Sequence, residues 1–427
     1  MPLRTPIAIA IILTARLPAS PPPAESPEKM LQAAIYRAKV LGDLPGAIQQ
    51  FESIAARYAG KPVAARALAE IGQAEEQLGH TGRARDAYMH VVREYPGEAR
   101  LVAQMRQNLA SIADATLKTQ GVIWASPHVS VSPPGRCCMG MAYDAATHST
   151  LFFGGFTPYV WFGDTWVWRN GWSHLAPAAS PSARQGPGLV YDAAAGNVVL
   201  FGGKDSAGTS LNDTWTWDGT TWTRQFPRTS PPGRDFDTQG MVYDAATRTV
   251  VFFGGTNSRN NALGDTWTWD GIAKNWTQKF PASRPSPRRT TLAYDEANKT
   301  VVLFGGDTNS GPLPSDAFFD DTWTWDGTTW TRQFPASSPP PRGMASMAYD
   351  ANLGLVVMFG GVNGPGGQSS DTWLWNGTNW KESHPTTVPA ARWAAGMDYD
   401  PVANALLLFG GFGTTTLSDT WIFIRIP

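Results

Sequence analysis

Six arginines stand out by spacing, each twelve positions after a tryptophan: Arg136, Arg184, Arg234, Arg288, Arg342 and Arg392 follow Trp124, Trp172, Trp222, Trp276, Trp330 and Trp380. A guanidinium presents a planar fork of donors that matches carboxylate and phosphate. A set of six could bind an anionic ligand or an acidic peptide, or could hydrogen-bond the carbonyls of neighbouring loops. Five acids, Asp235, Asp237, Asp307, Asp316 and Asp320, fall outside any repeating pattern. Two such carboxyls brought together would supply the acid–base pair of a glycan hydrolase. Six aromatics vary between otherwise similar segments: Phe156, Tyr159, Trp161, Phe318, Phe319 and Trp393. Such rings offer flat apolar area at low entropy cost to a protein or carbohydrate, or pack down to order long loops.

The bulk of the chain narrows the chemistry. Its 427 residues carry a formal net charge of -1, with 16% charged. Without a basic excess to neutralise phosphates, nucleic-acid binding has no electrostatic support. The two cysteines, Cys137 and Cys138, are adjacent and cannot staple distant segments; they read as two small residues on one strand, with a vicinal disulfide or a reactive thiol as the alternative. No nucleophile elbow, phosphate-cradling glycine loop or metalloprotease motif is present. Residues 1–24 read as an export signal, with Arg4, an apolar run from Ile7 to Ala15, and Leu17-Pro18-Ala19 as a small-residue cleavage region. That run is too short to span a bilayer, so no stable membrane span is expected. The expected location is secreted or periplasmic; the alternative is a disordered N-terminus on a cytoplasmic protein.

Residues 28–118 have helical grammar, rich in Ala, Leu, Glu, Gln and Arg with apolar residues at helical spacing. Gly-Asp, Gly-Lys-Pro and Tyr-Pro-Gly punctuation predicts five helices over 28–41, 45–59, 63–78, 82–95 and 98–117. Ala47, Phe51 and Ile54 recur as Ala84, Tyr88 and Val91, a small residue, an aromatic and an aliphatic on one stripe. Gly72 sits where a neighbouring helix would approach closely.

The remainder repeats six times at a period of about 50 residues, the signature of propeller blades. Diglycines begin at Gly154, Gly202, Gly254, Gly305, Gly360 and Gly410, and Asp-Thr-Trp triplets begin at Asp164, Asp213, Asp265, Asp321, Asp371 and Asp419. Within one unit, Met241-Val242-Tyr243-Asp244 ends a first strand and Thr249–Phe253 makes a second, apolar on both faces. Asp265–Trp269 makes a third with two tryptophans on one side. Asp270-Gly271 turns the chain into a fourth strand at Trp276. The chain ends after its sixth third-strand, while Trp124 marks an orphan fourth strand upstream. Strand 122–128 is therefore expected to complete the last blade and remove an exposed edge. The reading is an all-β six-bladed propeller, four antiparallel strands per blade, over 122–427.

The arginine, the diglycine, the Asp-Thr-Trp strand and the fourth-strand tryptophan, six times in register, resemble the Kelch family over about 122–427. The helical segment resembles tetratricopeptide repeats, with 64–97 the better unit and 28–61 degenerate. The Kelch resemblance implies that the loops before the first strand and after the diglycine share one end, placing the six arginines and the variable loops near one mouth. The tetratricopeptide resemblance implies protein binding; a spacer role stays open. Kelch propellers include copper radical oxidases of the galactose oxidase type, which need imidazole and phenolate ligands at the mouth. Here His128, His174 and His384 each follow a fourth-strand tryptophan on different blades, so no metal or other cofactor is expected. The turn Trp217-Asp218-Gly219-Thr220-Thr221-Trp222 lacks the spacing residue of a sialidase Asp-box. The tyrosines of Tyr-Asp (Tyr143, Tyr191, Tyr243, Tyr294, Tyr349 and Tyr399) repeat in every blade and read as scaffold. Together these features predict an exported, non-enzymatic binding protein for a protein or glycan ligand, with a secreted glycan-active enzyme as the alternative.

Overall fold

A computed structural model describes residues 26–119, 121–308, 318–364 and 367–426; the proposed leader at 1–24 and Asp316 lie outside the described residues. Five helices come first: α1 (Pro27–Lys39), α2 (Leu44–Arg57), α3 (Pro62–Gln77), α4 (Thr81–Glu94) and α5 (Ala99–Thr119). Ser26 and Asp43 cap α1 and α2, their side chains accepting from Lys29 N and from Gly46 N at 3.0 Å. Each helix packs on the next, and Ala47, Phe51, Ile54, Ala84, Tyr88 and Val91 are all buried in one core. The Tyr88 ring lies against Gly72, where an added Cβ would sit 2.2 Å from a ring carbon. Only glycine admits that approach.

Six four-stranded antiparallel sheets follow. Blade 1 is Gly140–Asp144, Ser149–Phe153, Thr165–Trp168 and Trp172–Leu175, and the pattern repeats. Second strands are buried throughout or nearly so, as in LVVMF at Leu355–Phe359, because each is enclosed by the blade on either side. Blade 6 consists of Gly396–Asp400, Ala405–Phe409, Thr420–Arg425 and the upstream strand Val122–Ala125, with Trp124 opposite Phe423. The expected closing strand of 122–128 stops at Ala125. Pro127 has no N–H to donate to a ladder, and Ser126 turns its hydroxyl onto the Thr420 carbonyl instead, at 3.2 Å.

The blades are joined by one repeated hydrogen bond. Each fourth-strand tryptophan donates Nε1–H to the threonine of the preceding blade's Asp-Thr-Trp. Trp222 reaches Thr165 at 3.0 Å, Trp276 Thr214 at 2.9 Å, Trp330 Thr266 at 2.9 Å and Trp380 Thr322 at 2.9 Å. Trp124 to Thr372 at 3.0 Å and Trp172 to Thr420 at 2.8 Å complete the circle across the seam between chain ends. The tryptophans therefore do two things: they fill the wedge between blades and satisfy a buried hydroxyl there.

The helices dock on the face opposite the diglycines, against the turns joining first and second strands in blades 4 and 5. Arg93 pairs with Glu296 at 3.0 Å and Arg106 donates to the Asn298 carbonyl at 2.9 Å. Arg85 donates to the Asn352 carbonyl, and Lys299 to the Arg93 carbonyl. Among the described residues no helix is long and apolar enough to cross a membrane.

Candidate functional site

The six patterned arginines do not form a ligand surface. All are buried, at 0–2% exposure. Each forks onto the aspartate of its own blade: Arg234 reaches Asp265 at 2.6 and 2.9 Å, Arg342 reaches Asp371 at 2.5 and 2.7 Å, and Arg392 reaches Asp419 at 2.6 and 2.8 Å. Arg136–Asp164, Arg184–Asp213 and Arg288–Asp321 repeat the arrangement. The remaining donors go to the carbonyl of the first diglycine residue and to a carbonyl two residues upstream, as Arg234 does with Gly254 and Pro232. A guanidinium buried this deeply needs a paired charge and filled donors, and here the blade supplies both. The anion-binding expectation is corrected accordingly; the carbonyl-bonding alternative describes these residues. The aspartates accept chiefly from the arginine and from the tryptophan two residues on, such as Trp267 Nε1 at 2.7 Å.

The mouth itself is lined by the residue after each arginine, which pairs with the residue after each diglycine. The pairs are Cys137–Phe156, Gln185–Lys204, Asp235–Thr256, Gly343–Val362 and Trp393–Phe412, with Arg289–Asp307 in blade 4. Just inside, a backbone collar narrows the axis. Ala394 N donates to Met344 O at 2.8 Å, Cys138 N to Ala394 O at 3.0 Å, Gly186 N to Cys138 O at 2.7 Å, and Phe236 N to Gly186 O at 2.9 Å. The collar holds Cys138, Met344 and Ala394 at positive φ, and takes both cysteines out of the strand expected for them. Their sulfurs lie 3.3 Å apart as free thiols, and burial pushes the Cys138 thiol up.

The pairs divide the mouth into two arcs. Blades 5, 6 and 1 contribute an apolar cluster of Cys137, Cys138, Met344 and Ala394 with the half-buried Phe156, Val362, Trp393 and Phe412 packed on it. Blades 2, 3 and 4 contribute Gln185, Lys204, Asp235, Asp237, Arg289 and Asp307. Arg289 binds Asp307 through Nε at 2.6 Å and Asp237 through Nη1. Burial works against its charge, but Asp307 and Asp237 outweigh that. Asp235 accepts from Thr256 Oγ1 at 2.5 Å, and burial together with Asp237 pushes its carboxyl up to about 7. The polar arc thus holds three acids around one guanidinium.

The aromatic candidates separate between these surroundings. Trp393 stacks on Phe412 with centroids 5.0 Å apart, and Phe156 packs tilted against Trp161 at 5.7 Å. Tyr159 is 90% exposed. Phe318 is buried, and Phe319 covers the Arg288 guanidinium at 3.6 Å, as Phe162 covers Arg136 at 3.6 Å. Those two therefore shield an ion pair and do not join the apolar arc. Asp320 stands exposed on its strand. Sequence reasoning missed Val362, Phe412, Met344 and Ala394. Phe412 and Val362 carried a signal, since each holds the same offset after its diglycine as Phe156. Among the described residues no three His, Cys, Asp or Glu side chains form a metal-holding group.

Sheets of four antiparallel strands, six around an axis and closed by an upstream strand, define a six-bladed β-propeller. The model of the KLHDC2/KLHL20/DRC7 Kelch-repeats domain matches residues 167–326 and 248–424, and the chain belongs to that family. Adagio protein 3 of Arabidopsis thaliana is 31% identical over 147 residues, covering 34% of this chain and 23% of that protein. Dynein regulatory complex subunit 7 of Chlamydomonas reinhardtii is 30% identical over 117 residues, covering 26% and 10%. The chain thus spans under a quarter of the length of these relatives. The solved structure of YjhT superposes with a TM-score of 0.53 at 15% identity, covering 70% of this chain and 99% of that one, which is a likeness of fold. Kelch propellers typically mediate protein interactions.

Proposed function

We propose that this protein is a non-enzymatic recognition module that holds a segment of a partner protein in the diglycine-side mouth. The observation that carries the reading is the two-arc lining. An apolar side chain of the partner would seat against Trp393, Phe412 and Phe156, while its polar groups face the half-exposed Gln185 and Lys204 of the opposite arc. Apolar anchoring beside a polar rim is how protein interfaces concentrate affinity. A glycan ligand draws less support, because Trp393 already stacks on Phe412 and Phe156 packs tilted against Trp161. The glycan-active enzyme is less favoured, because Asp235, Asp237 and Asp307 are engaged with Thr256 and Arg289. Export remains part of the proposal on the strength of residues 1–24, and N-terminal sequencing of the mature protein tests it. The tetratricopeptide-like helices would offer a second contact or position the propeller.

The test places a photo-crosslinking residue at exposed Tyr159, identifies the captured protein, and rebuilds the complex from purified components. Trp393→Ala and Phe412→Ala should each weaken that complex about tenfold or more, with melting temperature little changed. Binding that is indifferent to both substitutions refutes the mouth as the site.

A further inference from the structure

The central channel opens at its other end on the face that carries the helices, and there one blade departs from the other five. The residue before each Tyr-Asp pair is Ala142, Val190, Val242, Ala293 or Ala348 in blades 1 to 5, and Asp398 in blade 6. The register shows that these are equivalent positions, Ala142 opposite Leu151, Ala348 opposite Val357 and Asp398 opposite Leu407. Asp398 Oδ2 accepts the Tyr143 N–H across the seam between blades 6 and 1 at 2.7 Å, and Oδ1 accepts the Tyr399 N–H at 2.8 Å. Each carboxylate oxygen retains further acceptor capacity.

The carboxyl faces a cavity of about 240 Å³ walled by Val190, Val242, Ala293 and Ala348. Tyr243, Tyr294, Tyr349 and Tyr399 also line it, with Gln239 as a further polar group and Glu296 as the other charged one. Burial pushes the Asp398 carboxyl up to about 6, against the pull of the two N–H groups. The outlet shares Glu296, Tyr349 and Ala351 with a second cavity of about 520 Å³ beneath α4, which gives a ligand an entry path. Arg85 and Arg93 line that path but are tied to the Asn352 carbonyl and to Glu296.

A charge in an apolar tube is costly unless paired, and tyrosine faces attract cations. A primary ammonium on an aliphatic stem meets each feature. The stem lies along valine and alanine, and the three N–H donors face Asp398 and the tyrosine rings. We propose that the channel binds a primary alkylammonium, carried by a free small amine or by a lysine side chain, with Asp398 as its counter-ion.

The test is calorimetric titration of the full chain with 1,5-diaminopentane, with 1-pentanol as the uncharged match. The same titrations are run on Asp398→Ala, which restores the residue of blades 1, 4 and 5. The diamine should bind saturably, at least tenfold more weakly to the variant, and pentanol should give no saturable binding. A lysine pentapeptide beside its Nε-acetyl counterpart separates the sources. Tighter binding of the free-lysine peptide assigns a protein tail, and binding of the diamine alone assigns a small amine. Asp398→Asn, of nearly equal size, carries the comparison if the alanine variant melts lower. Diamine affinity equal in wild type and variants, or no saturable binding of diamine and peptide to wild type, overturns the proposal.

Discussion

At the scale of single residues, the arginine–aspartate fork is a buried ion pair repeated in every blade. Arg234 is fully enclosed while Asp265 keeps a partly exposed edge, so removing the acid strands a buried cation. Asp265→Ala is expected to lower stability by about 3 kcal/mol, read as a shift in urea midpoint. An unchanged midpoint would mean that the pair is energetically idle. The same residues set a pH profile. For Asp164, Asp213, Asp265, Asp321, Asp371 and Asp419, burial pushes the carboxyl up but the arginine outweighs it and holds it below the ordinary 3.8. Their contribution is present above 3.8 and lost as pH falls through the depressed values. Asp295, Asp350 and Asp398 are raised by burial to about 6, and Asp235 to about 7. Their contribution is full below 3.8 and lost as pH rises through 6 to 7. Stability should therefore be highest near pH 4 and decline from there towards pH 7, and denaturant midpoints measured from pH 3 to 8 that change monotonically would overturn this. The arginines were legible in the sequence as a set, but their role was not. Spacing alone does not tell whether a guanidinium faces solvent or an aspartate of its own blade.

At the scale of elements, strands are held in pairs by ladders and in blades by the tryptophan–threonine bond. Trp276→Phe keeps an aromatic in the wedge but leaves the Thr214 hydroxyl without its donor. We expect a loss of about 2 kcal/mol, and a coupling of about 1 kcal/mol with Thr214→Val in a double-mutant cycle. A coupling near zero would remove the bond as a blade joint. The diglycine tolerates less. Gly254 has φ +71, and an added Cβ would lie 2.1 Å from the Arg288 carbonyl oxygen of the next blade. Gly254→Ala should therefore destabilise more than an alanine substitution at half-buried Gly171, where nothing lies within 4 Å of an added Cβ. Equal melting temperatures would count against close blade approach as the reason for the diglycine. Helix limits were readable from glycine and proline punctuation, and no boundary in 28–117 moved by more than two residues. The closing strand was readable in place but not in length, because a proline's missing donor matters only once the ladder partner is known.

At the scale of the whole molecule, closure depends on four residues upstream of the repeats. Trp124 is fully buried and bonded to Thr372 of the neighbouring blade. Excision of residues 119–130 should lower the melting temperature by roughly 10 °C or more and broaden the transition, since blade 6 loses its outer strand and blade 5 a packing partner. A sharp, unshifted melt would show that the ring closes without it. The helices lie against blades 4 and 5 on the face away from the mouth, which leaves the candidate protein site open and places a cleft beside the channel outlet.

The sequence by itself determined the number of blades, the strand order within each and the source of the closing strand. Those follow from local patterns, period two in strands and one turn chemistry per hairpin, copied six times. Only the tertiary structure decided which variable residues meet. Cys137, Phe156, Trp393 and Phe412 come from opposite ends of the repeat array, and they touch because the ring brings blade 6 beside blade 1. Arg289, Asp237 and Asp307 likewise gather across a blade boundary that no linear spacing encodes. A repeat writes its scaffold in every copy, whereas a site at the axis is assembled from single departures in several copies. Their convergence is a property of the closed circle.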